Sequence, residues 1–321
     1  MKHRLASFLV RFFLLIGGAL MPLAPSLTPV AAAANCAGTQ TSSVPIPDLG
    51  TGTYLNLQGG LYPSGSNTPP AAYASAGTQG AAAIVPRNTA GQPDPNGSIV
   101  LASIGLSNTN MEFGAFQTLG RQDPLKDPHV RFLNGAIGGA DATAWLDPNA
   151  PTWSQVMSML TGTGGGAGQV QAIWLKTAIA SPSGDTVTYI QTLASDMRRI
   201  VVNAKQLFPN LQQVFVSPRT YAGYATVQLS PEPYAYATGF ADKGLVLSSV
   251  NQPTMSPWVS WGPYIWTNGL VGSSSGLVWT CDDVRSTDGT HPSDSGQQKI
   301  ATMLQQFFDT STFTPWYRRA R

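Results

Sequence analysis

Runs of apolar residues set the rhythm of the second two-thirds of the chain. Residues 98–106 are almost continuously apolar, and 130–137, 170–175 and 211–216 follow the same pattern. Residues 276–280 form a shorter, weaker version. Unbroken runs of this length, bounded by Gly, Pro and polar residues, predict strands buried on both faces, and hence a parallel sheet. Between them the period changes to that of a helix. In 186–208, Ile190, Leu193, Met197, Ile200, Val201, Ala204 and Leu207 share one face, and Pro209 stops the pattern. Residues 153–160 read as a shorter helix and 231–249 as another. Residues 293–308 close the region with Ile300, Met303, Leu304, Phe307 and Phe308 facing inward and Ser293 as N-cap. Strands alternating with helices predict a three-layer α/β/α domain over 98–321, with functional groups at the carboxyl ends of the strands.

The first third differs. Residues 35–97 are rich in Gly, Pro, Ser, Thr and Ala and read as an irregular arm packed on the domain, with short strands at most. Ahead of it, Lys2, Arg4 and Arg11 precede an apolar centre, and Ala32, Ala33 and Ala34 are the small residues a signal peptidase requires. Residues 1–34 therefore read as a signal peptide. Gly, Pro and Ser interrupt the apolar centre well short of the ~20 residues a membrane span needs. Asn35 is not the small residue that precedes a lipidated cysteine, so no stable membrane anchor is expected. The mature chain is expected to be secreted, in an extracellular or periplasmic compartment.

Composition narrows the function classes. Charged residues make up 11% of the chain while 42% are apolar, which excludes a disordered chain. Residues 1–34 hold three of the 18 basic residues and none of the 16 acidic ones, leaving 15 against 16. No basic cluster remains to attract nucleic acid. Cys36 and Cys281 are the two cysteines, and in an oxidising compartment they are expected to form one disulfide. Three His and two Cys without clustering argue against a zinc site, and no metal or organic cofactor is expected.

Three short stretches carry the candidate chemistry. In Asp288-Gly289-Thr290-His291, before the closing helix, a carboxylate three residues ahead of an imidazole can accept the Nδ1 hydrogen and leave Nε2 free as a base. Ser107 ends the first apolar run, where Gly105 permits a tight turn and a following helix N-terminus would favour an oxyanion. Asn134-Gly135-Ala136-Ile137-Gly138-Gly139 follows the second run, and its glycines let backbone N–H groups approach a bound oxygen. Each has a plainer reading alone: a surface loop, a helix-capping serine and an ordinary turn.

Together the three resemble the SGNH (GDSL-like) serine hydrolase superfamily across roughly residues 98–312. The resemblance implies a flavodoxin-like sheet, a nucleophilic Ser107, Gly139 as an oxyanion glycine beside the Ser107 N–H, and Asp288 and His291 as the remaining triad members. It also implies cleavage of a carboxylic ester, small or polymeric, through an acyl-enzyme. A carbohydrate O-acetyl ester is one such substrate. Two positions depart from the family pattern. Leu106 stands where the family has Asp before its serine. Ala178 stands where the family has an Asn that completes the oxyanion hole. Lys176 is a candidate replacement, bringing a cation to the developing charge; the alternative is a strand-end lysine pointing to solvent.

Other features were open. Arg219 and Tyr221, beyond the fourth run, lie on the expected catalytic edge. Trp258, Trp261 and Trp266 in the aromatic stretch 257–266 could wall a substrate pocket or pack beneath a long loop. Gly272-Ser273-Ser274-Ser275-Gly276 matches a nucleophile elbow, but no helix follows it directly. Gly162 to Gly168 lacks the ending and the strand–helix setting of a phosphate loop and reads as a linker. The rival to an enzyme is a non-catalytic glycan-binding module that keeps the fold and uses the Trp-rich stretch.

Overall fold

A computed structural model describes residues 33–38 and 41–319. The expected signal peptide lies, up to residue 32, outside the described residues. The arm opens with a single helical turn α1 (Ile46–Leu49), a hairpin of β1 (Thr53–Tyr54) and β2 (Leu57–Gln58), and helix α2 (Ala71–Ala82). The domain follows with β3 (Ile99–Gly105), α3 (Ser107–Arg121), β4 (Val130–Asn134), α4 (Pro151–Gly162), β5 (Val170–Lys176), α5 (Thr186–Leu207), β6 (Gln213–Val216), α6 (Tyr234–Asn251), β7 (Trp258–Trp261) and α7 (Asp294–Thr310).

β3 to β7 form one parallel sheet in the order β4-β3-β5-β6-β7. Counting only these strands, the order is 2-1-3-4-5, that of flavodoxin-like sheets. The chain leaves β3 in one direction to form β4, then returns across it to form β5. Right-handed crossovers therefore put α3 on one face and α4, α5 and α6 on the other. α7 returns to pack on α3, as the stacked rings of Phe116 and Phe308 show. β3, β5, β6 and β7 are buried along their whole length, which is why the first three read as unbroken apolar runs.

Two expectations are corrected. The fifth strand is not 276–280 but Trp258–Trp261, which pairs with β6 from Gln213↔Trp258 to Val216↔Trp261. In 276–280 the backbone is irregular, and Trp279 N–H donates to Gly269 O instead of to a ladder. The arm is also less irregular than its composition suggests, because α2 runs for 12 residues after Pro70. Its Tyr73, Gly77 and Ala81 recur every fourth residue and face the sheet edge. Tyr73 Oη donates to Val259 O at 2.6 Å, and Trp258 Nε1 donates to Tyr73 O at 3.2 Å. Lys243 Nζ holds Gln58 O and Gly59 O at 2.7 and 2.6 Å. Tertiary contacts thus order a segment whose own amphipathic signal is weak.

Cys36 and Cys281 are disulfide-bonded, tying the start of the arm to the loop before α7. Among the described residues no helix is long and apolar enough to cross a membrane. At the end of α7, Asp309 Oδ1 and Tyr317 Oη are buried against Asp123 Oδ2. Burial, together with the charge of Asp123, raises the Asp309 carboxyl to about 6. A pKa raised on folding means the folded state holds this proton more tightly. The associated stability is present at low pH and lost as pH rises from the ordinary carboxylate range through about 6. Thermal melts of D309N and wild type across pH 4–7 should therefore diverge in favour of the variant as pH rises through this window. Parallel curves would remove the carboxyl pair as their cause.

Candidate active site

The site forms where the sheet order reverses. With β4 on one side of β3 and β5 on the other, the connections leave in opposite directions and open a crevice at the carboxyl end of β3. Gly105 and Leu106 lead into that crevice, and Ser107 is the first residue of α3. Gly105 has φ +151°, and a Cβ there would lie 2.0 Å from Lys176 O, so this turn accepts only glycine. Ser107 sits at the amino end of a 15-residue helix, where unpaired N–H groups and the helix dipole favour negative charge.

The loop before α7 brings the imidazole to the serine. Ser107 Oγ is 2.8 Å from His291 Nε2, and His291 Nδ1 is 2.9 Å from Asp288 Oδ2. Asp288 Oδ1 accepts from the backbone N–H groups of Thr290 and His291, both at 2.8 Å. The loop is closed on itself by Arg285 N–H to His291 O and Gly289 N–H to Arg285 O, each 2.8 Å. Gly289 has φ +64° and passes so close to Tyr224 O that a Cβ would lie 1.9 Å away. Ser293 then caps α7, its hydroxyl accepting from Gly296 N–H. Partial burial alone would raise the Asp288 carboxyl. The two backbone donors and the imidazole outweigh it and hold the group below the ordinary carboxylate value. Asp288 is thus an anion suited to stabilising an imidazolium.

The glycine loop after β4 is pinned to the turn and helix that carry Ser107. Ile137 N–H donates to Gly105 O at 3.0 Å, and Asn110 Nδ2 donates to Ala136 O at 2.6 Å, so the loop is fixed to α3 and its entry. Gly139, two residues on, is exposed. Asn134 is an internal brace, accepting from Ser103 Oγ and donating to Asn110 O. Asp141 ties the loop to the end of β5 through Ala180 N–H at 2.9 Å. Ala178 is buried and offers no side-chain donor.

Lys176 does not take the missing donor's place, and it does not point to solvent. It is 1% exposed, and its Nζ lies 2.7 Å from both carboxylate oxygens of Glu112 on α3. Burial pushes the Glu112 carboxyl up and the Lys176 ammonium down, while the charge of each partner opposes the shift. The physical reason for the correction is that a buried ammonium must find an anion, and the fold supplies one.

The substrate-wall reading of the aromatic residues is corrected too. Trp258, Trp261 and Trp266 are buried core residues, as is Tyr221. Trp261 Nε1 donates to Leu61 O of the arm at 2.9 Å, and Trp266 Nε1 donates to Glu232 Oε1 at 2.9 Å. Arg219 is 3% exposed and lies behind the catalytic loop, its Nη2 2.9 Å from Thr290 Oγ1. The sequence reading missed Asn108, which donates to Thr290 O of the catalytic loop, and Glu112, the partner of Lys176. Glu112 had a usable signal, a charged residue on the inward side of a helix directly after the candidate nucleophile. Five cavities of about 350–570 Å³, one of them along the amino ends of β3 and β4, are lined by neither Ser107 nor His291.

No protein-family model and no curated protein matches the chain. Among solved structures it is similar to a candidate SGNH hydrolase from Slackia heliotrinireducens, at 15% identity and a TM-score of 0.38 over 65% of this chain and 98% of that one. It is similar to an extracellular lipase from Streptomyces rimosus, at 15% identity and 0.38 over 65% and 100%. A third is the catalytic domain of a Streptococcus pneumoniae peptidoglycan O-acetyltransferase, at 14% identity and 0.34 over 66% and 93%.

Proposed function

We propose that this chain is a secreted serine hydrolase of the SGNH type that cleaves carboxylic esters through an acyl-enzyme. The observation that carries the reading is the continuous Ser107–His291–Asp288 hydrogen-bond chain, 2.8 and 2.9 Å, at the sheet's switch point. His291 Nε2 takes the Ser107 proton as Oγ attacks the ester carbonyl, and Asp288 stabilises the imidazolium. Backbone N–H groups of Ser107 and Gly139 receive the oxyanion, aided by the amino end of α3. Protonated His291 then releases the alcohol, and water repeats the sequence on the acyl-enzyme.

A short acyl group carried on a bulky alcohol, such as an acetylated carbohydrate, is the substrate class we prefer; the exposure of Gly139, two residues beyond the Ile137 N–H bond to Gly105 O, supports room for such an alcohol. The disulfide supports an oxidising compartment. The glycan-module alternative drew on the Trp-rich stretch, and those side chains are committed to the core. The test is incubation with nitrophenyl esters of increasing acyl length and with an acetylated polysaccharide, with and without a serine-reactive phosphonate. Turnover that falls with acyl length and disappears on labelling at Ser107 is expected. An intact protein that neither turns over any ester nor takes the label would sink the proposal.

A further inference from the structure

Thr290, between Asp288 and His291, has every polar atom engaged although its side chain has no chemistry in the ester reaction. Its N–H donates to Asp288 Oδ1 at 2.8 Å. Its carbonyl accepts from Asn108 Nδ2 at 2.8 Å, and Asn108 is the residue directly after the nucleophile. Its hydroxyl accepts from Arg219 Nη2 at 2.9 Å. All three side chains, Asn108, Thr290 and Arg219, are buried. Arg219 is itself anchored: its N–H donates to Thr238 Oγ1 on α6, which in turn donates to Ala235 O. One residue of the histidine loop is therefore gripped from α3 on one side and from the β6–α6 segment on the other. Burying a guanidinium is costly. Its Nε has no hydrogen-bond partner among the described residues, and its Nη2 is spent on Thr290.

We propose that Thr290, Asn108 and Arg219 form a positioning clamp that sets the distance between Ser107 Oγ and His291 Nε2. As a statement about catalysis it rests on the hydrolase reading above. The Asn108 bond couples the backbone of the histidine loop to the first turn of α3, so nucleophile and base cannot drift apart independently. The Arg219 bond fixes the loop's depth against the sheet. Proton transfer depends steeply on the donor–acceptor separation, so a small displacement of the loop costs rate while leaving ester binding intact.

Thr290→Val keeps the shape of the side chain and deletes the acceptor; Thr290→Ser restores it. In the full chain, T290V should lower kcat about ten- to a hundred-fold, and phosphonate labelling in parallel. KM should stay within about two-fold, and T290S should recover most of the loss. Asn108→Ala releases the other grip without unpairing Arg219, should show the same kcat-selected loss, and serves if T290V does not fold. A second readout does not require turnover. The low-field proton resonance of the His291 Nδ1–H···Asp288 bond should be sharp in wild type and T290S and broadened or displaced in T290V and N108A. Wild-type kcat and an unaltered resonance in both releasing variants would overturn the clamp, as would equal losses in T290V and T290S. If wild type hydrolyses nothing and takes no label, the hydrolase reading falls, and the resonance alone decides the clamp.

Discussion

Ser107→Ala is expected to reduce ester turnover by about four to six orders of magnitude while leaving the protein folded. The variant deletes the attacking oxygen and one partly exposed hydrogen bond, which costs roughly 1 kcal/mol of stability. His291→Ala should lose about as much, and the double variant scarcely more, because nucleophile and base act as one unit. Asp288→Asn is the most informative of the set. Asp288 Oδ1 accepts two backbone N–H groups, and an asparagine oxygen can keep both. Its amide nitrogen would then face His291 Nδ1, where Oδ2 now lies. That nitrogen donates, so the imidazole must carry its own proton on Nε2 and cannot receive one from Ser107. Loop geometry is preserved, and kcat should still fall by about 10⁴. Initial rates on a short-chain nitrophenyl ester, with melting curves to show folding, check the series. Turnover by folded S107A at even a tenth of the wild-type rate would require a different nucleophile.

The largest effect on stability is expected at Glu112 and Lys176. Replacing Glu112 by Gln leaves the Lys176 ammonium buried at 1% exposure with no full counter-charge, beside Arg219. Breaking a buried pair in this way costs about 3–5 kcal/mol. For a chain of this size that corresponds to a fall in melting temperature on the order of ten degrees. Lys176→Met should destabilise as well, but with the opposite sign of pH response to a buried cation. Glu112 already has its carboxyl raised by burial, and without Lys176 it rises further, so K176M should recover stability as pH is lowered. The double replacement by Met and Leu should restore much of the loss, because it removes the desolvation cost together with the attraction. Melting curves of the three variants at two pH values decide the matter. Singles within a degree of wild type would mean that the pair is not desolvated. Catalysis should survive in the double variant if the pair serves the scaffold and not the oxyanion.

The contrast between Lys176 and Asp288 shows where sequence reading stops. Asp288 and His291 are three residues apart in one loop, so their hydrogen bond is a local matter of turn geometry and Gly289 could announce it. Ser107 was reached by the same route, since a serine closing a buried strand must stand at the mouth of the sheet. Lys176 also closes a buried strand, yet its partner Glu112 is 64 residues away on a different element. Nothing in the neighbourhood of either residue states that they meet. The same holds for Thr290, whose partners lie 182 residues earlier and 71 earlier.

The aromatic stretch failed for a related reason. Trp258-Val259-Ser260-Trp261 lacks an unbroken apolar run, and its four residues gain strand structure only by pairing with β6. α2 likewise depends on partners, since an Ala- and Gly-rich segment has little amphipathic pattern until Tyr73 docks on β7.

By itself the sequence determined the alternation of strand and helix, the parallel character of the sheet and the local Asp–His dyad, because each depends on residues close together along the chain. The tertiary structure alone decided which edge strand completes the sheet, that Lys176 is spent on Glu112, and that the three tryptophans are core. Those outcomes turn on long-range desolvation and pairing, in which a side chain's role is set by whatever the fold places against it.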